Sequence, residues 1–190
     1  MLRWLLLFWG ICRGQNKPQD LPFSAGLFWI LLFMGIILDT LNLRITYRTI
    51  EFDWAIITTL GHTVIYYSSL AIFLYLMGFS NRINQTLNSV LGCSLIIGLL
   101  ATPLYLLLNN DHENTTLPIV LFLGLNIWML FIIAHILRHA LSISYPIAFI
   151  LSIGFFMLNM VIGDLFLSDL TSELAADASP DMFIEPGKQN

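Results

Sequence analysis

The sequence predicts an all-α integral membrane protein. Five spanning helices form the bundle, preceded by a short N-terminal interfacial helix and followed by a short C-terminal tail. Three observations predict it. The 190 residues are 57% hydrophobic and only 11% charged, whereas soluble domains carry roughly 25% charged residues. Mean hydropathy is +0.81. Five apolar segments reach about 20 residues, the length that crosses a hydrocarbon core of roughly 30 Å at 1.5 Å per residue.

Met1 to Cys12 is apolar but too short to span, and Arg13 and Lys17 follow it at once. Its start resembles a secretory signal, yet the small-residue cleavage pattern is missing. An interfacial helix is the expectation, with Trp4 and Trp9 at headgroup level and Arg3 and Arg13 meeting anionic lipid. The predicted spans are 24–43, 54–79, 87–108, 117–137 and 145–163. Pro118 and Pro146 fall in first turns, where the N–H groups lack intrahelical partners anyway. Pro103 lies inside the third span and should kink it. Short connections, 44–53, 80–86, 109–116 and 138–144, make sequential spans antiparallel neighbours. The division is therefore 1–22 interfacial, 23–164 membrane domain and 165–190 acidic tail. In that tail Asp169, Glu173, Asp177, Asp181 and Glu185 surround an apolar Met182-Phe183-Ile184, and Ser179-Pro180 ends the helical pattern.

Basic residues set the expected orientation, since positive flanks are retained in the cytoplasm. Arg3, Arg13, Lys17, Arg82 and Arg138 lie on the N-terminal side, against Arg44 and Arg48 near the membrane on the other. The N-terminus is thus expected inside and the C-terminus outside, together with Glu51, Asp53, Asp111 and Glu113. A net charge of −4 gives no basic face for nucleic acid. Cys12 and Cys93 form no C-x-x-C pair and have no His at ligand spacing, so neither a disulfide nor a metal site is expected.

Ionisable groups inside a span cost about 2.5 to 3.5 kcal/mol at the helix centre, which makes each a candidate for function. Asp39, His62 and Asp164 all fall in the outer half of the membrane on this orientation. A carboxylate beside His62 makes a proton-sensitive or cation-binding site; the bland alternative is snorkelling of Asp39 and Asp164 and an interhelical bond from His62. His135 and His139 flank Arg138 at i and i+4 spacing, which suits either a metal or a lipid-facing anchor. The anchor is preferred, because H-E-x-x-H is missing and no third ligand can be assigned. Asn88, Ser94, Asn126, Ser152 and Asn159 read as packing glue, and Ser94, Gly98 and Thr102 form a small-residue stripe for close helix approach within the bundle. Asn84-Gln85-Thr86 and Asn114-Thr115-Thr116 match the glycosylation triplet, a pattern common by chance. No G-x-S-x-G elbow or Gly-rich phosphate loop is present, so no catalytic residue, cofactor or metal is assigned.

Lys17-Pro18-Gln19-Asp20-Leu21-Pro22, after a short apolar helix with a basic end, resembles the entry of a group of small uncharacterised proteobacterial inner-membrane proteins. Residues 81–87, Asn-Arg-Ile-Asn-Gln-Thr-Leu, followed by Val90-Leu91-Gly92, are similar to the loop that opens span three in bacterial members of the YIP family. That resemblance implies a bacterial inner-membrane location, a five-helix bundle and no catalytic residues. The D-L-Y-G-P motif of eukaryotic members has only Asp20-Leu21 as a counterpart, so a GTPase partner is not implied. The functional expectation is a non-enzymatic scaffold or accessory, with the lipid bilayer and other membrane proteins or a second copy as partners. The alternative is a small transporter or channel subunit with a proton- or cation-linked site at Asp39, His62 and Asp164.

Overall fold

The computed structural model describes residues 2–108 and 116–177, with side-chain surroundings for residues 6–108 and 116–168. The loop acids Asp111 and Glu113, the Asn114 triplet, Met182-Phe183-Ile184, Asp181 and Glu185 lie outside the described residues. So do the side chains of Arg3, Trp4, Asp169, Glu173 and Asp177. The described residues form six α-helices: α1 Leu2–Cys12, α2 Ala25–Thr46, α3 Phe52–Leu76, α4 Ile83–Leu108, α5 Thr116–Leu141 and α6 Tyr145–Asp177. Two 3-10 turns, Pro18–Asp20 and Ser80–Arg82, precede α2 and α4, and no strand occurs among the described residues.

Local chemistry sets each helix boundary. Ser24 caps α2, its hydroxyl accepting from the Leu27 N–H at 3.2 Å. Asp53 places a negative charge in the first turn of α3, where the helix dipole favours it. At the end of α5, Ser142 adopts φ +56° and Ile143 donates back to the Arg138 carbonyl at 3.2 Å, the geometry of a left-handed helix stop. Helix α4 starts at Ile83, four residues ahead of the apolar run, and continues through Pro103 to Leu108. Its polar first turns hide a helix from a hydropathy reading, yet Thr86 bonds the Arg82 carbonyl, Ser89 bonds the Gln85 carbonyl and Gln85 reaches the Leu21 carbonyl.

Five helices are long and apolar enough to cross a membrane, and at most a third of each apolar window is buried against protein. The remaining apolar surface faces outward, as it must in lipid. The chain is a multi-pass integral membrane protein.

The spans close into a ring in which α2 packs on α4, α4 on α5, α5 on α6, α6 on α3 and α3 on α2. Consecutive helices α3 and α4 meet less extensively than α2 and α4, so the chain order is not the ring order. Parallel packing of α2 on α4 closes the ring. It is seen in the matched register of Leu38 against Gly98 and of Asn42 against Thr102. Helix α1 docks in the groove between α4 and α5, burying Phe8, Ile11 and Cys12, while Leu6 and Trp9 stay exposed. Gly92 makes this docking possible, since a Cβ there would overlap the Phe8 ring. Gly92 lies nine residues, or about 14 Å, along α4, so the docked face sits inside the bundle's length.

Candidate functional site

The ring is packed solid at the α1 end and hollow at the other. A cavity of about 490 Å³ opens among all five spans, towards the end carrying the α2–α3 and α4–α5 connections. Each helix contributes a face at helical spacing: Asp39, Asn42 and Thr46 from α2, Ser94, Gly98 and Tyr105 from α4, Phe122 and Asn126 from α5, and Asn159 and Gly163 from α6. Helix α3 contributes the most polar side chains, with Thr58, Thr59, His62, Thr63, Tyr66 and Tyr67. These polar pairs recur every four residues and therefore lie on one face of the helix. That face turns inward because lipid on the outside offers hydroxyl and imidazole groups no partner.

The wall is partly organised and partly free. Tyr67 hydroxyl and Ser94 Oγ are 3.1 Å apart. Ser94 also donates to the Val90 carbonyl at 2.6 Å, which leaves its oxygen to accept from Tyr67. The His62 ring is stacked parallel to Tyr66 with centroids 6.3 Å apart, and it hydrogen-bonds the backbone of Asn159 across the ring of helices. Tyr66 and Tyr67 meet edge to face at 5.3 Å, as do Tyr105 and Phe122 at 5.2 Å. Asp39 borders the main cavity and also a small crevice that continues between α2, α3 and α4 past Thr63 and Leu91. Among the described residues no side chain hydrogen-bonds its carboxylate and no cation pairs with it.

Of the three ionisable residues singled out from sequence, Asp39 and His62 meet on this cavity. Asp164 does not line it, and its neighbour Gly163 takes the wall position. The stripe on α4 faces the bundle interior. Ser94 meets Tyr67, a Cβ at Gly98 would stand 3.0 Å from Leu38 Cδ2, and Thr102 bonds Asn42 Oδ1 at 2.9 Å. Asn126 bonds the Phe122 carbonyl of its own helix, and Ser152 is buried and bonds the Phe149 carbonyl. Sequence reasoning missed Asn42, the α3 threonines and the tyrosines Tyr66, Tyr67 and Tyr105. The signal was present: the polar pairs 58/59, 62/63 and 66/67 break the hydropathy of a span at helical spacing.

The two other clusters belong to the packed end. His135 and His139 rings stand 4.7 Å apart, and His135 Nε2 is 2.9 Å from the Asn16 carbonyl, so His135 holds the segment after α1. No group of three or more metal-ligating side chains occurs among the described residues. Cys12 and Cys93, 81 positions apart in sequence, are both free, buried and in side-chain hydrogen-bonding contact. Spacing alone could not show that pairing, because it depends on α1 entering the groove.

Against protein-family models, curated proteins and solved structures the chain finds no match. Asp39, without a partner in a largely apolar cavity between spanning helices, is the most informative of the described residues.

Proposed function

We propose that this chain is a small, non-enzymatic transporter or channel subunit that takes a hydrophilic solute or a proton into the cavity between its five spans. One observation carries the reading: an uncompensated carboxylate, Asp39, shares a cavity of about 490 Å³ with His62 and several hydroxyl groups set in a largely apolar wall inside a membrane bundle. Intramembrane carboxylates and imidazoles are costly and mark ion or proton pathways when they face a water-filled space. A scaffold rests on short connections and the lack of a catalytic signature. A transporter has those features too, and they give no reason to keep Asp39 unpaired in a hollow.

The excess of Arg and Lys on the α1 side favours a cytoplasmic α1 end, with the cavity opening outward. The resemblance of residues 17–22 and 81–92 to bacterial inner-membrane proteins, the YIP family among them, favours that membrane.

Proteoliposomes test the reading. Vesicles loaded with a pH-sensitive dye and given an inward proton gradient are diluted into Na⁺, K⁺ or tetramethylammonium. Wild-type protein should speed the pH change with at least one of these cations. Asp39→Asn and His62→Ala should remove the acceleration while the protein still reconstitutes. A rate equal to that of protein-free vesicles, or one the two variants leave unchanged, overturns the proposal.

A further inference from the structure

We infer that the cavity binds a monovalent organic cation, with an ammonium head beside Asp39 and its carbon body against the aromatic wall. This deepens the transport reading and rests on the cavity it describes. Charge is the first ground. Among the described residues Asp39 is the one carboxylate on the wall and no lysine or arginine lines it, and His62 already bonds the Asn159 backbone. An anion entering would meet a carboxylate with no cation to offset it. One carboxylate balances one positive charge, so a diamine would carry a second charge unmatched into a low-dielectric space.

Size is the second ground. A dehydrated metal ion requires several oxygen ligands at about 2 to 2.6 Å around a small centre. A space of about 490 Å³ is far larger and falls in the range of small-molecule pockets, about 300 to 1,000 Å³. No ligand cluster for a metal occurs among the described residues.

Aromatic chemistry is the third ground. Tyr66, Tyr67, Tyr105 and Phe122 line the same space as Asp39 and offer ring faces and edges to its contents. Aromatic faces attract ammonium groups, most strongly where water is excluded. Carboxylate, tyrosines and apolar wall together suit an ammonium ion with attached alkyl or aryl groups better than Na⁺ or K⁺, whose hydration shells this wall would only partly replace.

The test is a charge series on the full chain in lipid nanodiscs, read by isothermal titration. Choline, its neutral isostere 3,3-dimethylbutan-1-ol and the anion isethionate share one skeleton and differ in charge. Benzyltrimethylammonium adds an aryl body. Choline should bind saturably, benzyltrimethylammonium more tightly, and the alcohol and isethionate at least about tenfold more weakly. Asp39→Asn should weaken choline binding at least about tenfold, and Asp39→Glu should retain most of it. Tyr105→Leu should weaken it by about 2- to 30-fold.

If the alcohol or isethionate binds as tightly as choline, or Asp39→Asn binds choline normally, the cation assignment is overturned and a solute cavity remains. Displacement of choline by millimolar Na⁺ or K⁺ also overturns it, in favour of an inorganic ion. If no probe binds while the proteoliposomes still show Asp39-dependent proton movement, the organic cation falls alone. If no probe binds and no flux occurs, both proposals fall.

Discussion

The two ends of this bundle use their polar residues in opposite ways. At the α1 end, side chains are tied to backbone carbonyls of other segments. Arg82 donates to the His139 and Ala140 carbonyls, Gln19 to the His139 carbonyl, Gln85 to the Leu21 carbonyl and Trp128 to the Cys12 carbonyl. At the cavity end, Asn126 bonds only within its own helix, and Asp39 bonds no described residue. Most polar groups at the first end complete the backbone accounting of helix termini and loops, with the buried Asn88 Oδ1 left without a partner there. Those at the second line a space and are left available to something that enters it. Polarity inside a membrane protein is therefore no mark of function by itself; what matters is whether the partners are already present.

The comparison breaks most visibly at Arg82. Its guanidinium reaches the His139 carbonyl at 3.1 Å, the Ala140 carbonyl at 2.9 Å and Ser142 Oγ at 2.8 Å, and its Cζ lies 5.4 Å from the Phe79 ring centroid. Arg82→Ala removes this donor from the Ala140 carbonyl, leaves the His139 carbonyl to Gln19 alone and frees the left-handed Ser142. Hydrogen bonds to charged groups contribute about 1.5 to 3 kcal/mol each, less where water can replace them, so a loss of about 2 to 3 kcal/mol is expected. Thermal unfolding in a mild detergent should show a midpoint several degrees lower, with Arg82→Lys in between. An unshifted midpoint would mean that this end is not held by its donors.

Gly92→Ala attacks the same end from its packing side. The new methyl overlaps the Phe8 ring, and overpacking of this kind costs about 1 to 3 kcal/mol. The specific sign of lost docking is a chemical one. Cys12 and Cys93 are buried at the α1–α4 contact, so a thiol-alkylating reagent should modify them slowly in the wild type and faster in Gly92→Ala. Equal rates in both would show that α1 tolerates the methyl without moving.

Asp39→Asn should behave in the opposite way to Arg82→Ala. Removing a charge that has no described partner from a membrane bundle relieves a desolvation cost, so stability should be unchanged or slightly higher while the cation and proton phenotypes disappear. A midpoint that falls as far as in Arg82→Ala would make Asp39 a structural residue, and the contrast between the two ends would collapse.

Much of this arrangement is legible in the sequence, and its limits are physical. Five spans follow from hydropathy because lipid demands an apolar exterior on each helix. Asp39 and His62 stand out because ionisable residues are rare in such segments. Ring order does not follow: that α2 lies beside α4 depends on how Gly98 and Leu38 fit, and short loops constrain only consecutive helices. Asp164 reads like Asp39 in sequence, yet a position one residue from Gly163 turns about 100° around the helix and leaves the cavity wall. The docking of α1 was hidden for a similar reason, since Gly92 reads as an ordinary residue of a span until Phe8 lies against it.

The finest test of the contrast is Thr102 and Asn42, which border the cavity end yet are paired. Thr102 Oγ1 lies 2.9 Å from both Asn42 Oδ1 and the Gly98 carbonyl, and Asn42 Nδ2 reaches the Gly98 carbonyl at 3.5 Å. Interhelical polar contacts in membranes average about 0.6 kcal/mol, because the separated helices find other partners. Thr102→Val should therefore lower the unfolding midpoint by only about 1 to 2 °C, and a double-mutant cycle with Asn42→Leu should return a coupling near 0.6 kcal/mol. A coupling as large as the Arg82 effect would show that the α2–α4 seam holds the hollow end as firmly as backbone capping holds the packed one. The cavity would then be a rigid chamber, and solute access would depend on movement of α3, α5 or α6 instead of on opening between α2 and α4.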